Sequence, residues 1–364
     1  MKKQWIFGLL LLLVAAFLVY RFAGQNVKED EHVVKIGAIL PLTGKYADLG
    51  HWTEAGLLSA IEELKTNNPN SKIKVIVEDA KSEAKEALSA YNKLVNVEKV
   101  NIIVTTSSAL CLAIKPRAIA DNVLFFGIAS HPEITNNNNG KIFRPCNTSI
   151  DEGEEICNFI NKYNEKNKRV SILYHNSEFG QSFNKQISDN LKNTIVGSNS
   201  YDDKPESFKT LTIKTLAEKP NMIVAIGFTP SLGVLIKNLR ESKYEGIIIS
   251  NIGFSTPSVI SASGEYAKGV YFVDYNLPTK STHFQTIDSI SRVKFNTKFA
   301  SISYLSYFTL KVIDKAISEK KSSKIADIAN YLAIPQDINI DGIVLTSKST
   351  GNIVPKLEIK KYDY

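Results

Sequence analysis

The sequence predicts an α/β protein built from two doubly wound, Rossmann-like lobes. Short apolar segments alternate with amphipathic ones along most of the chain, and the apolar segments lack the in-and-out alternation of a half-exposed strand. Such uniformly apolar strands are typical of parallel sheets that helices cover on both faces. The alternation fills two successive stretches, residues 33–148 and 149–273, and 364 residues are enough for two domains of ordinary size.

The first stretch begins with Val33–Leu40, a short apolar segment that predicts a buried strand. The segment Thr53–Lys65 carries apolar side chains about three residues apart, which indicates an amphipathic helix, and Asn67–Asn70 is predicted to end it. The same order then repeats. Further strands are predicted at residues 72–78, 100–105 and 123–128, and further helices at 82–96 and 109–120.

The second stretch continues the alternation of strands and helices. Its strands are predicted at residues 169–174, 222–226 and 246–250, and its helices at 152–164, 179–193, 208–217 and 231–240. Towards the C-terminus, strands are predicted at 269–273, 342–346 and 356–362, the last two as a pair, and helices at 301–318 and 325–332. These pieces are too few for a third domain. They are predicted to complete the two sheets, with the chain crossing between the lobes more than once.

The charge and the motifs of the chain argue against several classes of function. The formal net charge is +7, but Lys2, Lys3 and Arg21 lie in a segment without acids, so the chain after residue 24 has 41 basic against 37 acidic side chains. Such a small, interspersed excess does not predict nucleic-acid binding. The five histidines are scattered without a metal-ligand spacing, and no P-loop or GxGxxG motif opens either stretch. Neither a metal nor a cofactor is predicted.

Residues 1–24 are predicted to be a signal peptide or a membrane anchor. Lys2 and Lys3 precede the apolar run Trp5–Tyr20, and a polar, charged stretch follows it. Cleavage after Ala16 would leave apolar residues on the mature protein, whereas an uncleaved run is slightly shorter than the ~20 residues that usually span a bilayer. Both alternatives stay open. In either case the leading lysines direct the body outward, to a periplasmic or other extracytoplasmic space, tethered to the inner membrane by residues 5–20 if they are retained.

Three cysteines allow at most one disulfide bond. Cys146 and Cys157 are the closest pair in sequence, and both a disulfide between them and buried or free thiols are compatible with this spacing. The first cysteine, Cys111, lies far beyond the apolar N-terminal run, which argues against a lipid-modified cysteine at the start of the mature chain.

Seven segments, taken in order, carry a resemblance to a known family. They are VKIGAILPLTGKYADLGHWTEAGLLSAIEE, TTSSALCLAIKP, GIASHPEIT, IFRPCNTS, VSILYHNSEFGQSFNKQI, MIVAIGFTPSLGVLIKNLRES and AKGVYFV. Their order and spacing resemble the type I periplasmic-binding-protein fold, specifically the leucine/isoleucine/valine-binding family of ABC-transporter substrate-binding proteins. The resemblance covers nearly all of residues 33–362.

The resemblance implies a ligand cleft between two lobes that are joined by three crossovers. The crossovers would lie near Cys146–Ser149, Asp274–Leu277 and Thr346–Ser349. Lobe 1 would then comprise residues 33–148 and 275–346, and lobe 2 residues 149–274 and 347–364. Binding of a ligand would close the two lobes by a hinge motion.

The resemblance also implies a receptor rather than an enzyme. It would bind a small amino acid, carboxylate or amide ligand of the branched-chain amino acid type and present it to an ABC-transporter permease. The same fold serves as a ligand-sensing module in signalling systems, and this alternative stays open. A hydrolase that uses Ser107 or Ser108 with His131 is a third hypothesis, but Ser-Ser-Ala is not a nucleophile elbow and no acid is placed to orient the histidine.

In the family, the ligand carboxylate is held by hydroxyl and backbone N–H groups from two loops of lobe 1. The matching segments here are Thr105–Ser108 and Ala129–His131, which makes Ser107, Ser108, Ala129 and Ser130 predicted ligand contacts. Ser107 and Ser108 directly precede a predicted helix, whose N-terminus favours an anion. The simpler alternatives are an N-cap for the first two serines and a solvated loop position for Ser130.

Apolar and aromatic residues on both lips of the cleft recognise the ligand side chain in the family. The matching positions are Leu49 in lobe 1 and Phe179 and Phe228 in lobe 2. An apolar wall is kept, although Phe179 stands where the family often has tyrosine. Packing in the core is the alternative for both phenylalanines.

Ile252 departs from the pattern of amino-acid binders, which commonly carry an acid at the matching position to hold the ligand ammonium. An ammonium in a closed cleft without a carboxylate partner would lose its hydration with little compensation. A ligand with a carboxylate or polar carbonyl and an apolar group is therefore predicted to bind at least as well as leucine. Asp151, Glu178 and Asp274 are the alternative acids, and a solvated or hinge position is the simpler expectation for each.

Overall fold

The computed structural model describes residues 33–69, 71, 73–137, 139–163 and 167–363. The predicted signal peptide or anchor, residues 1–24, lies outside these ranges. Among the described residues, no helix combines the length and the apolar character that a membrane span requires. The predicted α/β architecture with two lobes is confirmed, and each lobe is organised around one open sheet.

Sheet 1 contains five strands in the order β2-β1-β3-β4-β5. They are β1 (Val34–Leu40), β2 (Ile73–Asp79), β3 (Ile102–Thr106), β4 (Leu124–Ile128) and β5 (Ile142–Phe143). The helices of this part are α1 (Ala47–Asn67), α2 (Ala84–Asn92) and α3 (Ser108–Ala120). β3 pairs in parallel with β1 and β4, and every residue of β3 and β4 is buried, as their apolar sequences predict.

Two threonines end β3 and fix the start of the loop that follows. Thr105 Oγ1 donates to Ile39 O at 2.6 Å, and Thr106 Oγ1 donates to Ile128 O at 3.0 Å. These bonds satisfy two buried hydroxyls and join the end of β3 to β1 and β4. The next residue, Ser107, therefore leaves the sheet from a fixed position.

Sheet 2 contains six strands in the order β14-β10-β9-β8-β6-β7. They are β6 (Val170–His175), β7 (Ile195–Tyr201), β8 (Met222–Ile226), β9 (Ile247–Ser250), β10 (Tyr271–Tyr275) and β14 (Leu357–Lys361). Its helices are α4 (Ser149–Lys162), α5 (Glu178–Asn190), α6 (Phe208–Ala217), α7 (Pro230–Glu241) and α8 (Pro257–Ser263). All strands pair in parallel except β14, which forms an antiparallel edge on β10.

The C-terminal part adds three helices and a small third sheet. They are α9 (Thr282–Phe295), α10 (Ser301–Lys320), α11 (Ile325–Ala333), β11 (Gln336–Ile340), β12 (Ile343–Ser347) and β13 (Ile353–Val354). α10 packs along α1, and Gly56 allows this, because a Cβ there would lie 2.1 Å from Ser303 O and from Ser306 Oγ. The two helices approach so closely only because residue 56 has no side chain.

The chain passes between the two large sheets three times. It leaves sheet 1 after β5, returns after β10 to pack α10 on α1, and enters sheet 2 again as β14. The last passage follows Val354, because β13 still pairs with β12, whereas the sequence places the third crossover near Thr346–Ser349. Next to this passage, Arg144 forms an isolated bridge with Asn352, which connects the first crossover region to the third.

The predicted pairing of residues 342–346 with 356–362 is wrong. β12 pairs with β11 and β13, whereas β14 pairs with β10 at the edge of sheet 2. The sequence-based prediction also lacks the strands β5, β7, β11 and β13 and the helices α8 and α9. β7 has the sequence IVGSNSY and lies at an edge of sheet 2, so it needs no continuous apolar run and gives a weak signal.

Candidate functional site

A cavity of about 100 Å³ lies at the carboxyl ends of the strands of both large sheets. One wall comes from the segments after β3 and β4, and the opposite wall from the segments after β6, β8 and β9. Open α/β sheets bind ligands in crevices at the carboxyl ends of their strands. The cavity is therefore the candidate functional site.

All eight residues that the sequence predicts as ligand contacts line this one cavity. They are Leu49, Ser107, Ser108, Ala129, Ser130, Phe179, Phe228 and Ile252. The fold thus brings together positions that span some two hundred residues of sequence. Their contact with a ligand stays a prediction.

Ser107 and Ser108 have different roles in the structure. Ser107 Oγ accepts a hydrogen bond from the Leu110 N–H at 3.4 Å and caps α3, so the simpler alternative for this residue is realised. The hydroxyls of Ser108 and Ser130 are buried and have no hydrogen-bond partner among the described residues. Because a buried hydroxyl without a partner is unfavourable, both are available to a polar group of a ligand.

The backbone of Ser107 is strained. Its φ is 72°, a left-handed conformation that residues with a side chain rarely adopt. Such strain persists where the surrounding structure fixes the backbone, and it is common at ligand-binding loops. Here it turns the chain from β3 into α3, so that the first residue of α3, Ser108, lines the cavity.

Aromatic rings form part of the cavity wall and also pack on one another. Phe179 and Phe228 meet edge to face with their ring centroids 5.0 Å apart, and Phe179 lies 4.9 Å from Phe183. Both predicted ligand contacts are therefore also packed residues. Phe228 further contacts Tyr46, which precedes α1, at 5.2 Å, and this contact joins the two lobes beside the cavity. Tyr46 was not identified from the sequence.

Glu152 is the acid of the cavity, and sequence reasoning missed it. Its side chain is 1% exposed, and its Oε2 accepts a hydrogen bond from the Ile252 N–H at 3.1 Å. Burial, together with the nearby charges of Asp151 and Asp274, raises the pKa of its carboxyl to about 8. A sequence signal existed, because Glu152 lies on the buried face of α4 with Ile156 and Ile160.

Two asparagines add further polar atoms to the cavity. Asn251 Oδ1 accepts from the Gly227 N–H at 3.0 Å, which orients the amide and leaves its Nδ2 without a partner among the described residues. Asn147 Oδ1 is likewise buried and unpartnered in the described part of the chain. The wall thus offers at least one donor, Asn251 Nδ2, and one acceptor, Asn147 Oδ1, to a ligand.

The three alternative acids lie outside the set of described residues that line the cavity. Asp151 Oδ2 accepts from the backbone N–H and the hydroxyl of Thr148, each at 2.7 Å, and so completes the cap of α4. Asp274 lies 2.9 Å from Lys360 Nζ and accepts from the Ser301 hydroxyl at 2.9 Å. Glu178 is exposed. Asp151 thus caps α4, Asp274 forms an ion pair, and Glu178 lies on the surface.

A family model described as periplasmic binding protein matches residues 33–327. This chain belongs to the periplasmic binding protein family. The match covers well over half of the chain and includes every residue of the cavity wall named above. The family consists of solute-binding proteins, which are not enzymes.

The chain is similar to known proteins in sequence and in fold. The Leu/Ile/Val-binding protein BraC3 of Rhizobium johnstonii is 24% identical over 88% of this chain and 89% of its own length. The branched-chain amino acid transporter substrate-binding protein LivJ of Streptococcus pneumoniae, solved with isoleucine, has a TM-score of 0.79 at 20% identity, covering 91% of this chain and 96% of its own. A solute-binding protein of R. palustris, solved with benzoate, has a TM-score of 0.77 at 17% identity, covering 90% and 93%.

In the described part of this periplasmic binding protein, the cysteine thiols and His131 are not arranged for nucleophilic attack. Cys111, Cys146 and Cys157 are free and buried, and burial raises the pKa of Cys146, which lines the cavity, to about 12. His131 lies outside the described cavity lining, and its Nδ1 accepts from the Glu133 N–H at 3.3 Å. Of the two alternatives left open for Cys146 and Cys157, the structure shows buried, free thiols.

Proposed function

We propose that this protein is the extracytoplasmic receptor of an ABC importer and binds a small amino acid, carboxylate or amide by hinge closure of its lobes. The observation that carries the proposal is a cavity between two lobes in which unpartnered serine hydroxyls face an apolar wall. Ligand pockets typically combine apolar walls with a few convergent polar groups. This cavity has both.

The polar end of the ligand would lie against Ser108 and Ser130. Both hydroxyls can donate to a carboxylate or a carbonyl oxygen, and the N-terminus of α3 adds a favourable dipole for a negative charge. Bonds to a charged acceptor are stronger than those between neutral groups. A carboxylate is therefore the group that fits this wall best.

The apolar end of the ligand would lie between Leu49, Phe179 and Phe228. Each square ångström of apolar surface that leaves water contributes about 25 cal/mol, so a branched aliphatic or aromatic group adds substantially to the affinity. The volume of about 100 Å³ compares with roughly 10–15 Å³ for a single water molecule on the same measure. The cavity therefore suits a small organic molecule and excludes a peptide.

Hinge closure is supported by the three passages between the lobes and by the contact of Tyr46 with Phe228 beside the cavity. Both rings would separate when the lobes open and would cover the ligand when they close. A closed, loaded receptor presents a different surface from an empty one. An ABC permease in the membrane would recognise that difference, as the names of the related proteins suggest for them.

The proposal predicts that a simple compound panel contains a ligand. We expect at least one of leucine, isoleucine, valine, their deaminated acids, their amides and benzoate to raise the melting temperature of the purified protein. At a hundredfold excess over Kd the stabilisation is about 2.7 kcal/mol, which a thermal melt resolves easily. No shift with any compound, at concentrations up to the millimolar range, would contradict the proposed ligand class.

A further inference from the structure

We propose that Glu152 binds a primary amine or ammonium group of the ligand, so that the ligand is an amino acid and not a simple carboxylate. This inference rests on the proposed function and names the ligand class of the same cavity. It also replaces the sequence-based expectation that a deaminated compound binds at least as well as leucine.

The position of Glu152 supports the assignment. Ile252 occupies the place where related amino-acid binders are expected to carry an acid, and the Ile252 backbone N–H donates to Glu152 Oε2 at 3.1 Å. A carboxyl group from α4 thus reaches the place in the cavity wall where the side chain of residue 252 offers none. The described residues provide no hydrogen bond to its other oxygen, Oε1, which leaves that oxygen to a ligand.

The charges around Glu152 point to a cationic ligand group. The carboxyl is 1% exposed, and the two neighbouring charges that act on it, those of Asp151 and Asp274, are both acidic. Lys360 is engaged with Asp274 at 2.9 Å. In the described part of the chain, no lysine, arginine or histidine lines the cavity. A buried carboxyl without a basic partner is stabilised when a bound ligand supplies the positive charge.

The hydrogen-bonding groups of the two walls fit a zwitterion. Asn147 Oδ1 is a buried, unpartnered acceptor that immediately precedes the cap of α4, close in sequence to Glu152. The Glu152 carboxylate and Asn147 Oδ1 can accept N–H groups of a ligand, which an ammonium provides, while Asn251 Nδ2 can donate to a ligand acceptor. The hydroxyls of Ser108 and Ser130 on the opposite wall require an acceptor, which a carboxylate provides.

The test compares amino acids with their deaminated analogues by isothermal titration calorimetry of the full-length protein. The probes are leucine with 4-methylpentanoate and phenylalanine with 3-phenylpropanoate. We expect the amine member of at least one pair to bind the wild type at least about tenfold more tightly than its partner. In Glu152→Gln we expect that preference to disappear. The control Glu154→Gln changes an exposed residue of the same helix and should leave it intact.

Two outcomes would overturn the inference alone: binding to the wild type in which no amino acid is preferred over its deaminated analogue in either pair, or a preference for the amine that persists in Glu152→Gln. Failure of every compound to bind, with no small molecule retained by the purified protein, would overturn the proposed function and this inference with it. Glutamine keeps the acceptor for the Ile252 N–H, so the variant is expected to fold, and a thermal melt checks this.

Proton release gives a second readout that a structural role would not produce. The folded carboxyl, with its pKa raised to about 8, is mostly protonated at pH 7, so binding of an ammonium should release close to one proton. Glu152→Gln should release none. The other titratable groups near this carboxyl are Cys146, Asp151, Asp274 and Tyr275. Calorimetry in two buffers of different ionisation enthalpy measures the protons released, and equal release by wild type and variant would overturn the inference.

Discussion

Replacing Arg144 by methionine is expected to lower the free energy of unfolding by roughly 3–5 kcal/mol. The guanidinium is buried and has no carboxylate partner among the described residues, and it instead donates to the Asn352 side chain at 2.9 and 3.1 Å, to Thr135 Oγ1 at 2.7 Å and to the carbonyl of His131. Methionine fills a similar volume but leaves these acceptors unpaired. Urea unfolding followed by circular dichroism measures the loss.

Arg117→Met is the matched control for this substitution. Arg117 is exposed on α3 and forms an ion pair with Asp121 at 3.3 Å, so its replacement should change the stability by less than about 1 kcal/mol. A loss at Arg144 as small as at Arg117 would show that the buried bonds between the first and third crossover regions contribute little.

The double variant Ser108→Ala and Ser130→Ala is expected to reduce ligand affinity by roughly a hundredfold. Each hydroxyl would lose a bond to a charged group, worth about 1.5 kcal/mol or roughly tenfold, and the two losses should add if the bonds are independent. The stability of the empty protein should stay equal or rise, because both substitutions remove a buried hydroxyl without a partner. Calorimetry measures the loss of ligand affinity, and thermal melts measure the stability of the empty protein.

Ser258→Ala provides the control for the serine variants. Its hydroxyl is also buried and unpartnered among the described residues, but it lies outside the described cavity lining. Its loss should leave ligand affinity unchanged. Equal affinity of the wild type and the double variant would show that the ligand does not reach Ser108 and Ser130.

Much of the fold can be predicted from the pattern of apolar residues along the sequence. Segments such as β4 and β8 are buried along their whole length and are apolar throughout, so they can be identified without tertiary information. β7 and the pairing of β14 could not be predicted in this way. An edge strand needs no continuous run of apolar residues, and its partner depends on which sheet edge is unpaired in the fold. Pairing over long distances leaves no local signal.

Some residues of the candidate site could likewise be predicted from the sequence, and others could not. Ser108, Ser130 and Phe228 follow strands directly, so the order of the elements places them at one end of the sheets. Glu152 instead lies one turn into α4, and only the tertiary packing of that helix brings its carboxyl to Ile252. The acid on the buried face of α4 is visible in the sequence, whereas the residue it approaches is not.

Native mass spectrometry of the purified full-length protein tests the central claim most directly. We expect one small organic molecule per chain, retained under gentle conditions, released unchanged on denaturation, and absent or much reduced in the Ser108→Ala, Ser130→Ala variant. A receptor of this kind binds its ligand and does not convert it. A protein that retains no molecule after exposure to the compound panel, or that returns a chemically altered one, would contradict the account.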